Sequence, residues 1–252
     1  MEDGVYYDCV GVDAYQDGND FTYPVFTLKE YLRRIYIAQR QLNPESITLT
    51  HSGADFSCPS VEFSDIILMG EQYRQGCFDY TYYLEFRTLR QFRAENAVNV
   101  GPSRMFLPQY RQREKMESPE VALHTLGLVM CHNLMLYPSF INQEIITRVR
   151  NFQYEFGMND AEFFPYWEKN PYGIASSNPN VICSFYKNKK GFLLSLLNST
   201  KDEQTFKLKV EDSLKGMKLL LFEPLVNKKS PISLDSEIKV KPYMAAFVLI
   251  EN

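Results

Sequence analysis

The sequence predicts an α/β region over residues 1–165, built as a partial (β/α) barrel, followed by an all-β region over residues 166–252, built as an antiparallel β-sandwich. Three observations carry this expectation. The first two-thirds of the chain alternate strand-like and helix-like stretches, which argues for a parallel sheet with crossover helices. No Gly-rich turn follows any of those strands, which sets aside a doubly wound nucleotide fold. From about Trp167 onward the texture changes to short strand-like runs separated by turn signals.

Gly4 to Val10 reads as the first strand, rich in aromatic and β-branched residues. Thr27 to Gln41 is a helix, because Leu28, Tyr31, Leu32, Ile35 and Ala38 recur at helical spacing. Thr27 and Glu30 are placed to form a capping box at its start, and Asn43-Pro44 ends it. Ser46–Thr50 and Asp65–Glu71 are the next strands. Thr81–Ala94 reads as a helix and Ala97–Val100 as a short strand. Pro119–Gly127 reads as helical, Leu128–Leu136 as either a last strand or a buried helix, and Gln143–Phe156 as a helix. The count of about five strands falls short of the eight of a closed TIM-type barrel, so the chain is expected to supply about strands four to eight. Beyond the boundary, set at the Pro- and Asn-rich stretch of residues 165–179, strands are expected at Val181–Tyr186, Gly191–Leu197, Gln204–Val210, Lys218–Phe222, Ser236–Val240 and Ala245–Glu251.

Composition narrows the function classes. The formal net charge is −4, with no basic excess to favour nucleic acid or an anionic membrane. Five scattered cysteines form no CxxC pair, and no two histidines stand at metal-ligand spacing, so neither a disulfide framework nor a metal or cofactor site is expected. No run reaches the length of a membrane span. Met1-Glu2-Asp3 is acidic where a signal peptide would be basic. The 17 Tyr and 18 Phe suit stacking on sugar faces, but they fill ordinary cores just as well.

The order of these features resembles the retaining α-glycosidases and their relatives, including the α-galactosidase-like enzymes. It also resembles the large glycoside-hydrolase-like proteins of Bacteroidetes polysaccharide loci. Gly4-Val5-Tyr6-Tyr7-Asp8 looks like the fourth barrel strand of such enzymes. Phe163-Phe164-Pro165-Tyr166-Trp167 looks like the link into their C-terminal domain, and Ser195-Leu196-Leu197-Asn198-Ser199-Thr200 like a sandwich strand ending in Asn and a polar turn. The resemblance implies a glycoside hydrolase, or the C-terminal part of one, that acts on an oligo- or polysaccharide without a cofactor. Relatives are typically periplasmic or secreted. Three barrel strands of the family pattern are absent, which leaves two alternatives: a longer polypeptide, or a homo-oligomer that completes itself. The competing class is a non-catalytic carbohydrate-binding or assembly protein derived from a glycosidase.

Glycoside hydrolysis uses two carboxyl groups flanking the scissile bond, and in barrels they sit at the C-terminal ends of strands. Asp8 and Glu71 meet that condition. The resemblance gives Asp8 the nucleophile position and Glu71 the acid/base position, where relatives usually carry Asp. The bland alternatives are a loop cap for Asp8 and a pair with Arg74 or a substrate hydroxyl for Glu71. His51 after the second strand either binds a sugar hydroxyl or is a satisfied structural histidine. Asp13, Asp55, Tyr73, Arg74 and Arg104 are further candidates for lining a polar cleft, with surface loop positions as the alternative. His132 is expected to be buried and bonded to backbone, and His124 to lie on the surface or on a helix.

Overall fold

The structure is a computed structural model that describes residues 4–8, 15–51, 61–97 and 101–251. The principal elements in chain order are β1 (Gly4–Tyr7), α1 (Val25–Leu42), β2 (Ile47–His51), β3 (Ile66–Met69), α2 (Leu89–Asn96), β4 (Ser103–Phe106), α3 (Pro119–Cys131), β5 (Met135–Leu136), α4 (Gln143–Phe156), β6 (Glu162–Phe164), β7 (Val181–Asn188), β8 (Gly191–Asn198), β9 (Lys218–Glu223), β10 (Lys228–Ile232) and β11 (Ala245–Glu251). They form two compact units that interleave along the chain. One comprises residues 1–75, 94–109 and 134–139; the other comprises residues 76–93, 110–133 and 140–252. Among the described residues, no helix is long and apolar enough to cross a membrane.

The first unit is built on a five-stranded sheet in the order β1-β2-β3-β4-β5, every neighbouring pair parallel. Spatial order thus equals sequence order. With right-handed crossovers, that order returns each connection over the same face, whereas a doubly wound sheet reverses its order midway. Thr48, Thr50, Ile67 and Phe106 are buried on one face. On the other, His51 and Leu68 are also buried, while Tyr6 and Ile47 are each 49% exposed. α1 covers the first: Thr48 Oγ1 donates to Gln39 Oε1 (3.2 Å), and the Asp65 carboxylate accepts from both Arg40 (2.7 Å) and the Thr48 N–H (2.7 Å).

Sequence and structure part company at three local points. The N-cap of α1 is Pro24, with no side-chain cap bond. Thr27 therefore lies inside the helix, and Glu30 pairs with Arg33 and Arg34 instead of closing a capping box. The single helix expected over residues 81–94 is broken. Glu85 accepts from the Thr81 and Tyr82 N–H groups around one tight turn, and a reciprocal Thr88–Gln91 box starts α2 only at Leu89. The strand expected over residues 97–100 falls mostly outside the described residues, and β4 lies just beyond it.

The second unit carries a six-stranded antiparallel sheet in the order β10-β9-β11-β8-β7-β6. Every residue of central β8 is buried, so both of its faces are covered. α3 lies on one face, where Tyr186 OH donates to Met130 O (2.9 Å) and Ser184 Oγ to Cys131 O (2.8 Å). α4 joins it through the Phe152–Phe222 stack (4.4 Å). On the same unit, Phe164 stacks on Phe185 (4.8 Å) and Tyr172 meets Phe192 edge-on (4.9 Å). Two short antiparallel ladders pair residues 204–206 with 238–240 and 208–209 with 175–176. α3 and α4 precede residue 165 yet pack on this sheet, so the compact unit and the change in sequence texture do not share a boundary. The ambiguous run Leu128–Leu136 resolves into both readings: α3 continues to Cys131, and Met135–Leu136 is the last parallel strand.

Candidate functional site

The C-terminal ends of β1, β2 and β3 bring three of the expected residues together. Asp8 follows directly on β1, His51 is the last residue of β2, and Glu71 stands two residues beyond β3. The parallel register aligns Tyr7 with Thr50 and His51 with Leu68. Alternation along a strand then points Tyr6, Asp8 and His51 to the same face. His51 Nδ1 lies 2.8 Å from Asp8 Oδ1 and 3.1 Å from Tyr6 OH. The Tyr6 hydroxyl donates to the same Asp8 oxygen at 3.2 Å. On the other side of the imidazole, Nε2 is 3.6 Å from Glu71 Oε2. The His51 side chain is 8% exposed, against 61% for Asp8 and 38% for Glu71. A buried imidazole therefore stands between two carboxylates that both reach solvent.

Gly70 sets the position of Glu71. Its φ of +145° is open to glycine, and a Cβ there would lie 1.9 Å from the Leu107 carbonyl oxygen. The chain turns at this point, with the Gly70 N–H donating to Gln72 Oε1 (2.8 Å). Tyr73 anchors the turn from below. It is fully buried, its hydroxyl donates to Glu95 and accepts from Asn96 Nδ2 (2.7 Å), and its ring packs on Phe106.

Tyr73 is thus an anchor and not part of a cleft wall, a correction to the sequence expectation. Its position two residues after a strand-end carboxylate suggested exposure, but its hydroxyl finds buried partners. Arg104 is corrected too. It is half-buried and pairs in register with Ile67 on the face opposite His51, with Nη1 reaching the Met69 sulfur at 3.2 Å. Arg74 is exposed just after the Glu71–Tyr73 turn. Asp13 and Asp55 lie outside the described residues. Tyr6 was missed by sequence reasoning, although its signal was present: it stands two residues before Asp8 in a strand, on the same face.

The other histidines are interior. His124, expected on the surface or a helix, is on α3 but wholly buried: Nδ1 faces Tyr243 O (2.7 Å) and Nε2 accepts from the Tyr83 N–H (3.0 Å). His132 is buried with Nδ1 on Leu128 O (2.8 Å), as expected, and Tyr166 OH 3.3 Å from Nε2. Burial pushes each down to about 4. Among the described residues, no group of three or more His, Cys, Asp or Glu is arranged to hold a metal ion.

Comparison with known proteins bears on this geometry. Residues 147–250 match the C-terminal domain of glycoside hydrolase 123. No curated protein sequence matches the chain. Among solved structures, a maltogenic α-amylase from Thermotoga neapolitana shares the fold with a TM-score of 0.53 and 13% identity, over 87% of this chain and 59% of its own. An α-amylase from Lactobacillus plantarum does so with a TM-score of 0.54 and 10% identity, over 88% and 59%. A β-L-arabinopyranosidase of glycoside hydrolase family 27 from Geobacillus stearothermophilus gives 0.53 and 10%, over 99% and 58%. The chain therefore spans just under six-tenths of the length of these structures. At these identities the likeness is one of fold, and the chain is glycoside-hydrolase-like in its fold and in its C-terminal domain.

Proposed function

We propose that this chain is a glycosidase, or the C-terminal part of one, that hydrolyses a glycosidic bond with Asp8 and Glu71. The observation that carries the reading is the convergence of the two carboxylates on His51 at the C-terminal ends of successive parallel strands. In this reading the parallel strands β1 to β5 form an arc of a (β/α) barrel, about its fourth to eighth strands, and loops at that rim make the pocket. The sequential strand order supports the arc. Asp8 accepts from Tyr6 and is held by His51, which fits an ionised group that attacks the anomeric carbon or stabilises its charge. Glu71 supplies the proton that leaves with the departing oxygen. The substrate is a carbohydrate, a reading supported by the hydrolase character of the matched C-terminal domain.

Glu71→Gln tests the assignment through leaving groups. Removing a general acid harms a substrate with a basic leaving group most, because that oxygen needs the proton. We expect kcat for an alkyl glycoside to fall about 100-fold or more, and kcat for a dinitrophenyl glycoside to fall far less. An equal loss on both substrates would remove Glu71 from the role.

A second reading, an assembly protein derived from a glycosidase, is favoured by a different observation. Among the described residues, Tyr6 and Ile47 are half exposed on the face opposite α1, and β1 and β5 are the outer strands of the parallel sheet. An open strand edge beside apolar surface invites association with another chain.

A further inference from the structure

We infer that His51 is the positioning residue of the site: Asp8 and Tyr6 fix its ring as the Nδ1–H tautomer, and the bare Nε2 lone pair receives the carboxyl group of Glu71. The inference rests on the carboxylate-pair reading above and deepens it by naming what holds the acid in place.

The imidazole is more than nine-tenths buried, so a sugar hydroxyl has little of it to touch, and direct substrate binding is set aside. Its ring lies against the Tyr6 ring, centroids 6.4 Å apart and 23° from parallel. Nδ1 and Asp8 Oδ1 are 2.8 Å apart, a charge-assisted hydrogen-bond distance. An ionised carboxylate only accepts, so the proton between them belongs to Nδ1. A neutral imidazole with its proton on Nδ1 presents a lone pair at Nε2. That atom is buried, has no hydrogen-bond partner among the described residues, and has Glu71 Oε2 at 3.6 Å. An unpaired buried nitrogen is costly, and a carboxyl O–H advancing by about 0.8 Å to an ordinary hydrogen-bond distance removes the cost. Among the described residues, the titratable groups facing His51 are Tyr6 of β1, Asp8 just after it, and Glu71 in the turn after β3.

The chemistry then balances. A general acid carries a proton when it acts, and in the proposal Nε2 is the neighbour that places the Glu71 carboxyl group. In the step, the Glu71 O–H bond breaks as the glycosidic C–O bond breaks. The proton and the bonding electron pair both go to the leaving oxygen. The anomeric carbon, held by Asp8, then bonds to the oxygen of an entering water, any bond to Asp8 breaks with its electron pair returning to the carboxylate, and the water's proton goes to the Glu71 carboxylate. Asp8 thus acts twice, at the anomeric carbon and through the ring of His51.

The experiment has two arms on the full chain. The first is nitrogen-15 NMR of the imidazole, which separates protonated from bare ring nitrogens without needing turnover. The expected result is a protonated Nδ1 and a bare Nε2 in the parent, with that preference lost in Asp8→Asn, whose amide also offers a donor. An Nε2–H tautomer in the parent would overturn the inference. The second arm is kinetic, on aryl glycosides. His51→Asn keeps a donor for Asp8 but has no atom at the Nε2 position, so kcat should fall about 100-fold with KM within about threefold, and His51→Gln should recover part of the loss. Unchanged kcat in His51→Asn would equally overturn it. A parent with the expected tautomer but no turnover would sink the proposed reaction and leave the His51 tautomer standing, so the two failures are distinguishable.

Discussion

At the residue scale, what the sequence disclosed depended on how local the signal was. Asp8, His51 and Glu71 were legible because each ends a recognisable strand, and parallel register brings strand ends together. Burial was not legible. Tyr73 and His124 both carry polar groups, and nothing in their immediate neighbours marks that partners come from elsewhere in the chain, such as Asn96 for Tyr73 or the Tyr243 carbonyl for His124. His124 has a consequence of its own. Its two ring nitrogens are already matched, one to a carbonyl and one to an N–H, so a second ring proton would face the Tyr83 N–H. His124 and His132 both sit at about 4 when folded against 6.5 when exposed. The unfolded chain therefore binds more protons between these values. Stability is full above about pH 6.5 and falls as pH drops towards 4, by roughly 3 kcal/mol per histidine if the whole shift is realised. Urea midpoints measured from about pH 7.5 down to 4.5 should decline through that window. A flat profile would contradict the burial of both rings.

At the element scale, periodicity carried most of the assignment. α4 coincides with its expected bounds because Asn142 caps it through the Ile145 N–H and Gly157 ends it in a left-handed conformation. β7, β8 and β11 were equally plain as apolar runs between turns. α3 was ambiguous because it is buried all round, from Val121 to Cys131, and so shows no amphipathic rhythm. Its reason for being so is visible at Gly127, where an added Cβ would lie 2.5 Å from Ala245 Cβ and 3.1 Å from Leu197 Cδ1. The helix reaches the sheet only because that position lacks a side chain. Gly127→Val should cost about 2 kcal/mol or more, since overpacking there outweighs any gain in helix propensity. Denaturant unfolding measures it, and an unchanged midpoint would show that the helix can ride further from β8 and β11 without loss.

At the scale of the whole molecule, the sequence conveyed the succession of a parallel sheet and an antiparallel sheet but not the compact units. Those depend on α3 and α4 packing against strands more than 50 residues later, and long-range pairing leaves little trace in local pattern. The half-exposed Tyr6 and Ile47 side chains bear on association. If the assembly reading holds, sedimentation should show a dimer or larger species that dissociates when Ile47→Lys places a charge on that face. A monomer at all concentrations would leave the enzyme reading alone. The central claim, that Asp8 and Glu71 act on a glycosidic bond, is tested most directly by kcat for an aryl glycoside in Asp8→Asn beside the parent chain, with unfolding followed on both. The expected result is turnover by the parent, a loss of about 100-fold or more in the variant, and an unfolding midpoint little changed, since Asp8 is exposed. Turnover by Asp8→Asn at the parent rate would contradict it.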